Sequence, residues 1–295
     1  MDINQGNLSA VFTGLKATFM EALQTTEQAD VNRLLTPVPS STGTEEYPVA
    51  TLLGDLEEVI GEVTITNIGK WIQRVPNRTF ARIVQVRRND LADDTIGVYK
   101  AGVRRLGVRA ALYPLRLAVE SLRAGFTDDW VDGKKVFAVD HPWVGGGGTW
   151  GNLLSLALDA TNFAVAYAAM ETMTGPDAAP LGLVPDLLVC GPSNRSAAEA
   201  IIDQQFLTGG ESNPNFKKVD LMVLARFGSS KAWGLVDTTS GVPMLLQNRE
   251  GPEFVADESN TSPDAMYKEV YPYKARRRCA VAVVCPWLIQ MSTGG

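Results

Sequence analysis

Apolar residues recur along this chain in two periods, and their succession outlines its elements. Residues 8–24 place Phe12, Leu15, Phe19 and Leu23 at helical spacing, with Asn7 or Ser9 as the expected N-cap. No partner for this amphipathic helix stands nearby in the sequence, so it is expected to pack on another part of the fold or on another chain. The stretch TPVPSSTGTEEY, Thr36 to Tyr47, holds two prolines, a glycine and clustered hydroxyls, and reads as a loop or extended arm. Val63-Thr64-Ile65-Thr66 alternates as a strand does, and Phe80 to Val86 is rich in β-branched residues. The clearest element covers 95–126. Ile96, Tyr99, Val103, Leu106, Ala110, Tyr113 and Leu117 recur there at spacings of three and four, with a second row through Val108, Leu112, Leu115, Val119 and Leu122. Such a helix would be ~45 Å long. Pro114 should kink or split it, because proline lacks the N–H and crowds the preceding turn.

Further on, Asp132-Gly133 between apolar pairs signals a hairpin. Gly145 to Gly148 reads as a flexible connection and a boundary. A helix is predicted over 159–174, with Phe163, Tyr167, Met170 and Met173 on one side. Leu187 to Cys190 reads as a short buried strand ended by Gly191-Pro192, and Ser196 with Glu199 as a capping box for the next helix. Strands are predicted at 221–224, 232–236 and 244–247, with polar loops at 208–216 and 257–265. The ending CAVAVVCPWLIQM reads as one buried central strand. Together these elements make a mixed α+β chain.

Composition adds bounds. The 295 residues are 45 % hydrophobic and 20 % charged, enough to bury one large core or two smaller ones. No apolar run reaches the ~18–20 residues that cross a bilayer, and MDINQGNLSAVFTGLK lacks the basic and apolar regions of a secretory signal. Synthesis in the cytoplasm and no membrane partner are therefore expected. The net charge of −6 argues against a dedicated DNA binder.

Charge distribution says more than its sum. From Glu45 to Glu62 there are six acids (Glu45, Glu46, Asp55, Glu57, Glu58 and Glu62) and no base. From Lys70 to Arg88 there are six bases and no acid. The simplest picture is a long two-stranded excursion with one acidic and one basic limb. A lone hairpin is marginal in water, so this one needs something to lie against. The polar face of the long helix carries Lys100, Arg104, Arg105, Arg109, Arg116 and Arg123 against one acid, Glu120.

A search for reactive groups assigns no catalytic, cofactor or metal residue. Cys190, Cys279 and Cys285 form no CxxC pair and sit in apolar runs, as buried reduced thiols do. His141, the only histidine, adjoins Asp140, but sequence neighbours do not orient an imidazole, and no GxSxG elbow is present. It reads as a structural residue in a turn before Pro142. The four-glycine run lacks the Lys-Ser/Thr of a phosphate loop. Asp93-Asp94 and Asp128-Asp129 read as capping or solvated groups, and Lys274 to Arg278 as a solvated or subunit-facing strand end.

The run VPNRTFARIVQVRRNDLADDTIGVYKAGVRRLGVRAALYP, followed by GFTDDWVDGKKVFAVDHP, resembles the major head protein of Mu-like bacteriophages and prophages, the family of Mu protein T. An Asn-Arg-Thr-Phe strand, paired acids, a long helix, an aromatic-Asp-Gly hairpin and His-Pro follow in that family's order. The likeness is best over residues 75–142. It implies the Hong Kong 97-like phage capsid fold. Residues 1–39 would be the N-terminal arm, 40–87 the extended loop and 88–154 the peripheral domain with its spine helix. Residues 271–295 would return to that domain, and 155–270 would form the axial domain.

The resemblance also implies a function. The chain would self-assemble into hexamers and pentamers of an icosahedral head, as a virion protein rather than an enzyme. Scaffolding, portal and decoration proteins would be partners, and packaged DNA would be touched only non-specifically. An encapsulin-like nanocompartment shell is the alternative on the same fold, and a cytosolic hydrolase using His141 a third reading. Within the capsid reading, the acidic limb of one copy (Glu45, Glu46, Glu57, Glu58) is expected near the basic helix face of a neighbour (Lys100, Arg104, Arg105, Arg109). Pairing of the two limbs inside one chain is the other possibility.

Overall fold

The computed structural model describes residues 4–50, 52, 69–93, 96–207, 209–228, 230–257, 259 and 261–295. Helix α1 spans Gln5–Thr25 and buries Leu8, Val11, Leu15, Phe19, Ala22 and Leu23. Its N-cap is Asn4, whose side chain accepts from the N–H of Asn7 at 2.8 Å. The helix thus starts a turn before the expected cap, because Asn4 supplies the acceptor that the first free N–H groups need. After the short helix α2 (Ala29–Leu34) come strands β1 (Leu35–Pro39), β2 (Thr44–Ala50), β3 (Lys70–Pro76) and β4 (Arg78–Arg87). The hydroxyl- and proline-rich stretch is therefore two strands joined by a turn. The alternating segment at 63–66 lies outside the described residues.

Helix α3 (Arg88–Ala92) leads into α4 (Ile96–Ala111) and α5 (Tyr113–Ala124). The long helix is split at Leu112, as Pro114 predicts. Proline cannot donate to the carbonyl of Ala110, four residues back. The guanidinium of Arg277 donates to that oxygen instead, at 3.5 Å. Helix α1 packs on α4 within the same chain, which supplies its missing partner. Gly107 makes the approach close: a Cβ there would lie 2.6 Å from the Phe19 carbonyl oxygen and 2.9 Å from the Ala22 Cβ.

The Asp132-Gly133 pair forms a tight turn, with Gly133 at φ +81 and one bridge between Asp129 and Lys135, rather than an extended hairpin. Strands β5 (His141–Pro142) and β6 (Thr149–Trp150) form the small hairpin that the four glycines close. That run is not a loose connection, since a Cβ on Gly147 would meet the Pro176 carbonyl oxygen at 2.1 Å. Then come β7 (Leu153–Leu154), α6 (Ala160–Glu171), β8 (Leu187–Cys190), α7 (Arg195–Ile202), β9 (Asp220–Val223) and β10 (Trp233–Val236). The capping box fails at α7. Asn194 holds the N-cap position without a side-chain bond, Ser196 lies inside the helix, and Glu199 pairs with Arg195 at 3.3 Å. A 3-10 turn at Pro192–Asn194 starts the coil earlier than the motif implied.

Strand β11 (Met244–Ala256) is longer than its apolar start predicts, because bulges around Gly251-Pro252 hide its second half. Helix α8 (Pro263–Lys268) and strands β12 (Val270–Val283) and β13 (Ile289–Ser292) complete the chain. The apolar C-terminal run is not one strand. A 3-10 turn at Pro286–Leu288 divides it, and its halves enter different sheets. Pro286 has no N–H to give a ladder, so the break falls there.

The larger sheets have orders β1-β11-β12-β4 and β7-β13-β10-β8-β9, and β2 and β3 form a separate antiparallel ribbon. The period-2 alternation of β8 places Leu187 and Val189 in the core between the two sheets. It sends Leu188 and Cys190 to the core beneath α6 and α7. A third core joins α1 and α4 to Phe254, Tyr271 and Tyr273.

Candidate assembly surface

The β2–β3 ribbon lies against the body, held along its length by aromatic packing and buried amides. Trp71 meets Trp130 edge-on at 5.9 Å, and Trp130 also lies 6.3 Å from both Trp150 and Trp287. Val49, Leu52 and Trp71 of the ribbon pack with Trp143, Trp150 and Trp287 of the body. Such rings contribute about 0.5–1.5 kcal/mol per pair beyond their buried area. The fully buried Gln247 donates to the Val75 carbonyl and accepts from the Tyr47 hydroxyl at 3.0 Å, while Gln73 donates to the Val283 carbonyl. Sequence reasoning missed this joint. Its only local signal was the crowding of Trp130, Trp143 and Trp150 within one segment.

The charged residues divide into engaged and open groups. The Glu45 carboxylate accepts from the N–H groups of Ser41 and Thr42 and the hydroxyl of Ser40 at 2.7–2.8 Å. These bonds, that of the Thr42 backbone first, hold its pKa down to about 2. Glu45 therefore closes the turn before β2. Glu46 pairs with Arg74 at 2.8 Å across the ribbon, in the β2–β3 register. Acidic and basic limbs thus meet inside one chain at this point. Glu57 and Glu58 lie outside the described residues. Lys100, Arg104, Arg105 and Arg109 are all exposed on α4. Arg104 reaches Glu21 at 3.9 Å, and the other three have no ion pair among the described residues. Neither Glu45 nor Glu46 pairs with any of these four within the chain.

Groups that could suggest chemistry have structural partners. The side chains of His141 and Asp132 are fully buried and bonded at 2.6 Å, and the imidazole stacks on Trp150 at 4.1 Å. The neighbouring Asp140 points outward to Lys134 at 2.5 Å. No serine or cysteine bonds to His141 among the described residues. The three cysteines are free thiols. Burial pushes Cys190 and Cys285 up to about 11 and raises Cys279, so all three stay protonated at neutral pH. Cys279 and Cys190 are buried as the sequence predicts, whereas Cys285 is only half-buried. Among the described residues no group of three His, Cys, Asp or Glu could hold a metal ion, and no helix is long and apolar enough to cross a membrane.

A separate two-stranded ribbon, a broken helix packed on a four-stranded sheet and a second, five-stranded sheet define the phage capsid fold of the Hong Kong 97 type. The chain superposes on the subunit of the procapsid of bacteriophage JBD30 with a TM-score of 0.59 and 24 % identity, covering 96 % of this chain and 75 % of that one. It belongs to the family described as Mu-like prophage major head subunit gpT, whose model matches residues 8–156 and 152–227. It is 28 % identical over 142 residues to the major capsid protein of Escherichia phage Mu, covering 48 % of this chain and 46 % of that protein. It is 30 % identical over 135 residues to the Mu-like prophage FluMu major head subunit of Haemophilus influenzae, covering 46 % and 44 %. These matches span less than half the length of both relatives.

Proposed function

We propose that this chain is the shell subunit of a phage head, tiling with copies of itself as hexamers and pentamers around DNA. Membership of the head-subunit family over residues 8–227 is the observation that carries this reading. In it, residues 1–39 serve as the arm, 40–87 as the extended loop, 88–154 with 271–295 as the peripheral domain, and 155–270 as the axial domain. By pairing, β11 joins the four-stranded sheet and β13 the five-stranded one, so the two domains exchange strands across those sequence boundaries.

The acidic limb of one copy lies against Lys100, Arg104, Arg105 and Arg109 of a neighbour. The open state of that helix face supports this placement, as does the absence of any base from Glu45 to Glu62. Exposed pairs contribute ~0–1 kcal/mol each, so charge sets register and encounter rate more than affinity. Apolar burial at ~25 cal/mol per Å² supplies the bulk, less the cost of association. Modest contacts suffice because each subunit touches several neighbours and the ring closes. A net negative charge suits a DNA container, since a strongly basic lining would hold the packaged molecule. Scaffolding, portal and decoration proteins are the expected partners, the host cytoplasm the site of synthesis and the virion the final location.

Electron microscopy of the purified recombinant protein tests the proposal. Closed shells are expected, and DNA rather than an enclosed enzyme in shells from infected cells separates a head from a nanocompartment. A solitary molecule at high concentration, even beside its assembly helpers, overturns it.

A further inference from the structure

The two edges of the four-stranded sheet differ. Strand β1 is five residues long and carries Pro37 and Pro39, a short and proline-blunted edge. Strand β4 has ten residues, no proline and an uninterrupted register with β12. No strand pairs with its outer side among the described residues. Fully extended, it offers about 33 Å of unpaired backbone. Ile83 in its middle is 54 % exposed. A long, regular, exposed edge is a template for another strand.

Charge selects the strand. Arg78, Arg82 and Arg87 are exposed along β4, so two β4 edges would set like charges side by side, which is destabilising. An acidic segment is favoured. The ten residues 53–62 hold Asp55, Glu57, Glu58 and Glu62 and no base, and their number matches the length of β4. The Tyr99 hydroxyl of α4 donates to the Asp90 carboxylate of α3, the short helix that directly follows β4, and α5, which continues α4, meets β4 through the Phe80–Tyr113 ring contact. The basic helix face and the arginines of the edge are thus carried on neighbouring elements.

The geometry points to β4 as a strand-addition site that takes residues 53–62 of a second copy. This rests on the shell-subunit reading and deepens it: the acidic limb is held by a backbone ladder, with side-chain charge choosing the partner. The test uses full-length chain assembled into particles. Ile83→Cys is combined in turn with cysteine at each position from 55 to 60, and mild oxidation is followed by non-reducing electrophoresis. At least one pair should give chain-to-chain ladders about tenfold above the Ile83→Cys single variant, in particles and not in dissociated subunits. Hydrogen exchange of the unsubstituted protein should show alternate β4 amides slowing at least about tenfold on assembly.

Particles that form while no pair cross-links and β4 exchange stays unchanged overturn the proposal and leave the shell reading standing. Slowed β4 exchange without any cross-link overturns it as well, because another strand then occupies the edge. Failure of the unsubstituted chain to form particles removes the shell reading, and this inference with it.

Discussion

Replacing Gly107 by alanine sets two effects of opposite sign against each other. Within a helix, alanine is favoured over glycine by about 0.8–1 kcal/mol, because glycine loses more backbone freedom. At Gly107 the added methyl would sit 2.6 Å from the Phe19 carbonyl oxygen and 2.9 Å from the Ala22 Cβ. The first of these is backbone, which has no rotamer to move. Helix α1 must then shift off α4, and overpacking of this kind costs about 1–3 kcal/mol. The sum is about zero to 2 kcal/mol of destabilisation. Gly102, on the same helix and exposed, has nothing within 4 Å of the corresponding Cβ. Gly102→Ala should therefore stabilise by the full helix-propensity gain. Urea denaturation of the two variants, as unassembled subunits under identical conditions, should rank them with Gly102→Ala above the parent and Gly107→Ala below it, about 1–3 kcal/mol apart. If Gly107→Ala stabilises as much as Gly102→Ala, the close α1–α4 contact does not exist and the packing account of the arm is wrong.

Other outcomes follow from the same contacts. Arg104→Glu with Arg105→Glu should reduce particle yield by electron microscopy, and adding Glu57→Lys with Glu58→Lys should restore part of it; unchanged yield on the first pair removes the acid-on-base interface. Hydrogen bonds from the Ser40–Thr42 turn hold the Glu45 carboxyl down to about 2, from an ordinary 4.5. Its contribution is therefore complete above about pH 4.5 and is lost as pH falls through 2. The parent should lose more stability than Glu45→Gln across that window in denaturant titrations, and equal losses would show the turn contacts to be inert. His141→Ala removes one of the two hydrogen-bond partners of the buried Asp132 side chain, the Lys134 N–H remaining, and should cost about 1–3 kcal/mol. The double change with Asp132→Ala should cost less than the two single losses summed, and simple additivity would argue against their coupling.

Much of this fold is legible because its signals are local. The apolar stripe of α1 and the split at Leu112 follow from side-chain period and from one missing N–H. The six-acid and six-base blocks are visible without coordinates, as is the order of motifs that carries the family likeness. Where reading failed, long-range partners had overridden a local pattern. The capping box at Ser196 lost to a 3-10 turn at Pro192–Asn194, which lets the helix begin one residue before that serine, at Arg195. The Asp132-Gly133 pair became a turn without strands because Asp132 is drawn inward to His141. Glu45, grouped by charge with the other acids, is held by the turn at Ser40–Thr42.

Local pattern alone marks the longer helices α1, α4 with α5, and α6, the break at Leu112, the places where charge collects and the likeness to a head subunit, since each depends mainly on residues close in the chain. Long-range packing fixes that the C-terminal apolar run serves two sheets, that Trp71 and Trp287 meet around Trp130, and that β4 lies at an edge while β12 lies inside. Those outcomes depend on strand order and on contacts between residues far apart in the chain. A side chain's period says which face it occupies, but not what lies across from that face.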